Sequence, residues 1–142
     1  MVRFGALAAV LGLAAWLRLW RLDLVEFKGD QGFTLRAAED WLRVGHLPLV
    51  GLPSSIGIPE PPWFTYLVTP AVALDRDPAV ATAEVGLLNV FAVGGVALLG
   101  WRWFSPLAGL AAGLVLATNP WAVFFSRVIW PNDVLVPAAQ PG

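Results

Sequence analysis

Three stretches of this chain are long and charge-free enough, or nearly so, to cross a bilayer. Nothing else in the sequence limits the fold as much. The first begins at Phe4 and meets no charge until Arg18. The second lies between Glu84 and Arg102, with 17 uncharged residues, and the third between Arg102 and Arg127, with 24. A bilayer core of about 30 Å needs roughly 20 apolar residues in helix. In hydrocarbon, backbone amides find partners only within helices or closed barrels, and this chain is too short for a barrel. The pattern predicts an all-α integral membrane fold with three complete transmembrane helices at residues 4–22, 84–103 and 106–125. A fourth apolar run starts at residue 134 and stops at Gly142, so it reads as a truncated span. The Phe4–Leu17 run also fits the core of a signal peptide, but no small-residue cleavage site follows Trp16.

Composition agrees. Of 142 residues, 58% are hydrophobic and 13% charged, with a mean hydropathy of +0.70, and soluble domains carry about twice that charged share. Nine Lys+Arg against ten Asp+Glu give a net charge of -1, which excludes nucleic-acid binding through a basic surface. The absence of cysteine excludes a disulfide scaffold, a thiolate zinc site and a thiol nucleophile. A single histidine excludes multi-His metal sites.

Three crossings leave Arg3 and Arg102 on one face. The other seven basic residues and all ten acidic residues fall on the opposite face. That face carries a large first loop at 23–83 and a short second loop at 126–133. In the first loop, Phe33, Ala37 and Trp41 recur at helical spacing beside Ala38 and Leu42. Arg36, Glu39, Asp40 and Arg43 take the other side. This predicts an amphipathic juxtamembrane helix over 33–44, closed by Gly45 and Pro48. Gly, Pro and Ser turn signals fill 46–60, including Pro53-Ser54-Ser55 and Gly57-Ile58-Pro59. The apolar stretch 61–74 is too short to cross and is broken by Pro70, so it reads as a re-entrant or interfacial helix with Trp63, Phe64 and Tyr66 at its start. Asn89 and Gly94-Gly95 point to close helix packing.

Each side chain with chemical potential has two readings. Asp30, in Phe27-Lys28-Gly29-Asp30-Gln31, is a helix-capping turn residue or a catalytic base. Asp133 is a helix cap or an interfacial carboxylate near Arg127. Arg18, Arg21 and Arg127 anchor helix ends by snorkelling or bind phosphate. Glu60, before Pro61-Pro62, is a charge favouring a helix start, and His46 is a surface residue. Together they place carboxylates and arginines at one interface beside an amphipathic loop. A lipid-linked phosphate substrate needs that layout: a route for its tail, cations for its phosphate and a carboxylate to take a proton.

With those residues in place, the chain resembles the N-terminal part of a glycosyltransferase of the GT-C fold. It is similar to the dolichyl-phosphate-mannose–protein mannosyltransferases and to the bacterial aminoarabinose and galacturonosyl lipid transferases. Phe27-Lys28-Gly29-Asp30-Gln31 resembles their first-loop acidic motif, Glu60-Pro61-Pro62-Trp63 the start of a juxtamembrane helix, and Ser126-Arg127 through Asp133 a second-loop segment. Two departures stand out: Gln31 replaces the usual second carboxylate, and Asp133 lies one residue further from Arg127 than in the mannosyltransferase pattern.

The resemblance implies transfer of a sugar from a polyprenyl-phosphate donor to a protein, lipid or glycan acceptor on the extracytoplasmic face of a prokaryotic plasma membrane. Asp30 would be the base. Arg127, with Arg18 or Arg21, would bind the donor phosphate, and Asp133 would hold a divalent cation or orient Arg127. It also implies a cytoplasmic N-terminus, whereas Arg18, Arg21 and Lys28 against Arg3 would put the loop inside. The family's chains are several times longer, so this sequence reads as a fragment, inactive alone. The rival readings are a non-enzymatic membrane subunit docking a partner through its amphipathic loop, and a transporter fragment. The latter is disfavoured because no charge sits at mid-span.

Overall fold

The computed structural model describes residues 2–22, 29–53 and 59–129, and among these every regular element is a helix. In chain order they are α1 (Val2–Leu19), α2 (Gly29–Val44), α3 (Trp63–Leu74), α4 (Pro78–Trp103), α5 (Pro106–Thr118) and α6 (Pro120–Phe125). The last three start with the same device, a small polar residue followed by proline. The Asp77 carboxylate accepts from the Ala79 amide at 2.9 Å, and the Ser105 hydroxyl accepts from the Ala108 amide at 3.1 Å. The Asn119 side chain accepts from Trp121 and Ala122 at 2.9 and 3.1 Å. Each cap satisfies amides that a helix start leaves without partners, and proline lacks the next one.

That device corrects the third expected span. Asn119 caps a new helix and Pro120 offers no amide, so 106–125 is divided between α5 and α6 rather than continuous. Among the described residues α4 is the one helix long and apolar enough to cross a bilayer, by length and composition. It rises about 39 Å at 1.5 Å per residue and starts at Pro78, six residues before the expected 84. The apolar helices Phe4–Leu19 and Pro106–Thr118 are shorter, so three complete single-helix spans do not appear. The apolar run from 134 lies outside the described residues, as do Ser54, Ser55, Gly57 and Ile58.

Helices α1, α4 and α5 form an up-down-up bundle whose register is set by small residues. A side-chain methyl added at Gly86 would sit 3.0 Å from the Leu19 side chain, and one at Gly94 would sit 3.4 Å from Leu11. Phe4 meets Trp101 at 5.7 Å between ring centroids. These pairs fix α1 antiparallel to α4. One at Gly100 would come within 2.8 Å of the Gly109 backbone, and one at Gly113 within 2.9 Å of Ala97, which fixes α5 antiparallel to α4. Gly94 thus serves packing as expected, whereas Gly95 faces open space. Asn89 bonds back to the Val85 carbonyl at 3.0 Å within its own helix. The core here is Ala14, Val93 and Ala117, flanked by Val10, Leu11, Val90 and Leu116.

A second core joins α2, α3 and the first turns of α4: Ala38, Phe64, Val68, Ala71, Val72, Ala81 and Val85, with Ile129. The face of α2 that enters it keeps Ala38 from the expected one but is turned away from Phe33. Gln31, Thr34 and Ala38 are buried, whereas Phe33 is 42% exposed and Trp41 packs edge-on against Tyr66. Small side chains let α3 approach closely, so the Thr34–Ala38 stripe is turned inward and the bulky one is left at its margin. Helix α2 also starts earlier than expected, at Gly29, and ends at Gly45, whose φ of 77° is the left-handed conformation glycine tolerates.

Gly109→Ala puts a methyl group against the α4 backbone and should destabilise the bundle by about 1–3 kcal/mol. Gly95→Ala, in open space, should stabilise α4 by up to about 1 kcal/mol. Thermal unfolding of both variants in detergent checks the contrast.

Candidate functional site

The C-terminal end of α1, the N-terminal end of α4 and the α5–α6 break share one end of the bundle, and α2 and α3 pack at that end. Most of the sequence-derived candidates lie there.

Arg18 is the most constrained of them. It was expected to snorkel or to bind phosphate, yet its side chain is 1% exposed. Its guanidinium donates to the carbonyls of Ala117 at 3.0 Å, Leu116 at 3.1 Å and Ala14 at 3.4 Å. The last carbonyls of a helix lack intrahelical donors and carry partial negative charge. At the α5–α6 break Pro120 lacks an amide, so the cation from α1 supplies donors. Nε remains without a partner.

Arg127 performs the converse service. Its two terminal nitrogens donate to the carbonyls of Arg21 at 2.7 Å and Leu17 at 3.4 Å, so it caps the end of α1 just as Arg18 caps the end of α5. Arg21 takes a left-handed conformation, φ 54°, where α1 stops. The Ser126 hydroxyl donates to the Val123 carbonyl at 2.8 Å, and the turn that follows carries Ile129 into the core of α2, α3 and α4.

Asp30 lies inside the first turn of α2, exposed, rather than capping it. Its backbone carbonyl accepts from the Thr34 hydroxyl at 3.3 Å. A carboxylate in a first turn is favoured by the helix dipole, and its side chain stays open to solvent. Gln31, the next residue, is buried. Glu60 fixes the loop entry to α3 through its backbone. Its carbonyl accepts from Gly51 at 2.7 Å and its amide donates to Leu52 at 2.9 Å. A methyl on Gly51 would fall 2.8 Å from the Glu60 carbonyl and 2.7 Å from that of Pro61, so this crossing requires glycine. Pro61 and Pro62 precede α3, and Pro62 takes the cap position without a side-chain bond. Asp133 and Lys28 lie outside the described residues. Among those described, no three His, Cys, Asp or Glu side chains gather as metal ligands.

Two features escaped sequence reasoning. Glu84 presents a buried carboxylate oxygen without a hydrogen bond. Glu39 joins Arg43 and Arg76 at 3.3 and 3.4 Å. The Arg43 pair follows from i,i+4 spacing; Arg76, 37 residues on, carries no such signal.

Comparison with protein-family models, curated proteins and solved structures finds no match for this chain.

Arg18→Met removes the donors to three carbonyls and should cost about 2–4 kcal/mol, since buried acceptors are left bare. Arg127→Ala, nearer solvent, should cost about 1 kcal/mol. Thermal unfolding in detergent distinguishes them.

Proposed function

We propose that this chain is a multi-pass membrane module of a glycosyltransferase of the GT-C type. It moves a sugar from a polyprenyl-phosphate donor to an acceptor on the extracytoplasmic face. The observation that carries the reading is the burial of Ile129 among α2, α3 and α4. Through it the Ser126–Arg127 segment is held beside the helix that bears Asp30, so two of the three motifs on which the resemblance rests share one end of the bundle. The exterior of the bundle supports the membrane part. Phe4, Trp16, Phe91, Leu98, Leu107 and Val115 are exposed, and 28% of the most apolar stretch of α4 is buried, whereas the core helix of a soluble protein is mostly buried. In this reading α1, α4 and the α5–α6 pair all lie within the bilayer, the last as a broken helix.

The chemistry assigned to it is an inverting displacement. The acceptor oxygen attacks the anomeric carbon, the bond to the phosphate oxygen breaks, and Asp30 takes the acceptor proton. Exposure of Asp30 in the first turn of α2 leaves it accessible to an acceptor. The departing phosphate carries negative charge, which Arg127 and Arg21 at the end of α1 would offset, Arg127 by yielding part of its hold on the α1 carbonyls. Arg18, turned inward, holds the helix ends that position them.

Asp30→Asn introduced into the gene in its own host should lower sugar transfer from the polyprenyl-phosphate donor by roughly a hundred- to ten-thousand-fold. Membrane insertion, followed by resistance to alkaline extraction, should not change. Transfer at the original rate would remove Asp30 from the mechanism and favour a subunit that docks a partner.

A further inference from the structure

Helix α2 has a second polar flank. Nine residues separate Asp30 from Glu39, about two and a half turns, so the two carboxylates leave the helix on opposite sides of the stripe that packs on α3. On the Glu39 side lies a cavity of about 150 Å³ lined by Gly32, Leu35, Arg36, Glu39, Val72 and Arg76. It holds on the order of five liquid-water volumes of about 30 Å³, room for a tetrahedral oxyanion.

Of the charged side chains that line it, two are cations, Arg36 and Arg76, and one is an anion, Glu39. The Glu39 carboxylate is shared by two guanidiniums, Arg43 at 3.3 Å and Arg76 at 3.4 Å through the same oxygen. Arg36 lines the cavity and makes no ion pair among the described residues. Asp75 and Asp77 do not line the cavity; Asp75 accepts from the Asp77 amide at 3.0 Å and Asp77 from Ala79 at 2.9 Å. Asp40 leaves α2 about a quarter turn from Glu39 and is exposed. Two guanidiniums and one carboxylate thus line the cavity, and the planar fork of arginine suits phosphate oxygens. Leu35 and Val72 give the cavity an apolar wall.

We infer that the cavity between α2 and α3 binds a phosphate group, held by Arg36 and Arg76, with Glu39 yielding part of its hold on Arg76. Arg76 stands in the turn just before α4, eight residues ahead of Glu84, the last charge before the long uncharged stretch. A phosphate there comes from an anionic lipid headgroup or from a soluble phosphate ester. The site is distinct from the Asp30 flank and does not depend on sugar transfer.

The full chain in non-ionic detergent is titrated with inorganic phosphate and, separately, with short-chain phosphatidylglycerol, and bound species are read by native mass spectrometry and calorimetry. One saturable site is expected for at least one ligand. Binding of phosphatidylglycerol alone marks a headgroup, and comparable binding of inorganic phosphate marks a soluble ester. Arg36→Gln with Arg76→Gln should weaken binding at least about tenfold, and Glu39→Gln should strengthen it. Arg102→Gln, at the far end of α4, and Asp30→Asn should leave it unchanged. Saturable binding by neither ligand overturns the inference, as does undiminished binding by the double variant with an unaltered circular dichroism spectrum. Should that variant unfold, Arg36→Gln alone, at an exposed position without an ion pair, decides in the same way. Weaker binding by Glu39→Gln also counts against it.

Discussion

The guanidinium of Arg18 holds this structure together at the end of the bundle where α1 and α5 stop. Taking a cation out of water costs several kcal/mol, and the cost is offset only where the surrounding groups are polar and well placed. Three backbone carbonyls supply that here, two of them from the end of α5. The helix has to stop for those carbonyls to be available, and Asn119-Pro120 stops it. Arg127, after the break, returns the same interaction to the end of α1. The paired caps hold the chain in the turn that delivers Ile129 to the second core. Without the break there would be no acceptors for Arg18; without Arg18 the broken end would expose its carbonyls to an apolar surrounding.

The rest of the bundle follows from close approach. Gly100 against Gly109, and Gly113 against Ala97, bring α4 and α5 together until backbone meets backbone. Small residues on facing surfaces send the large ones outward, so Phe91, Leu98, Leu107 and Val115 lie on the outside. In water that exterior would be a large exposed apolar patch of the kind that marks membrane or partner contact. A lipid environment reverses its sign: van der Waals packing of small residues then drives association, and the outward leucines and phenylalanines meet acyl chains.

Much of this was legible in the residues, and the failures have a common cause. Helical class, the end of α2 at Gly45, the Arg43–Glu39 pair and a helix before Asp75 all follow from local spacing. The buried face of α2 does not. Both the Phe33–Ala37–Trp41 stripe and the Thr34–Ala38 stripe have helical period, and α3 selects the one that permits closer approach. The fate of Arg18 is equally non-local: its acceptor at Ala117 is 99 residues away, and an arginine near a helix end reads the same whether it points to water or inward. Asn119-Pro120 stood within an expected continuous span because apolar composition carries across it, although the Asn-Pro pair is itself a helix-start signal. For the candidate site, the sequence grouped Asp30 with Arg127 but gave no sign that Arg127 spends its terminal nitrogens on backbone.

The placement of α2 decides what that site can do. One face of α2 is fixed by α3, which in turn packs on α4, so α2 is carried on the bundle rather than free on its surface. Its two flanks then have different surroundings. Asp30 leads from the first turn and is exposed. Glu39 is braced by Arg43 from its own helix and by Arg76 from the turn into α4. A group that engages Arg76 and Arg36 would therefore bridge α2 to the start of α4 directly, in addition to the contact through α3. Because α2 is a single rigid element, such a bridge would restrict the Asp30 turn as well, although the two flanks share no side chain.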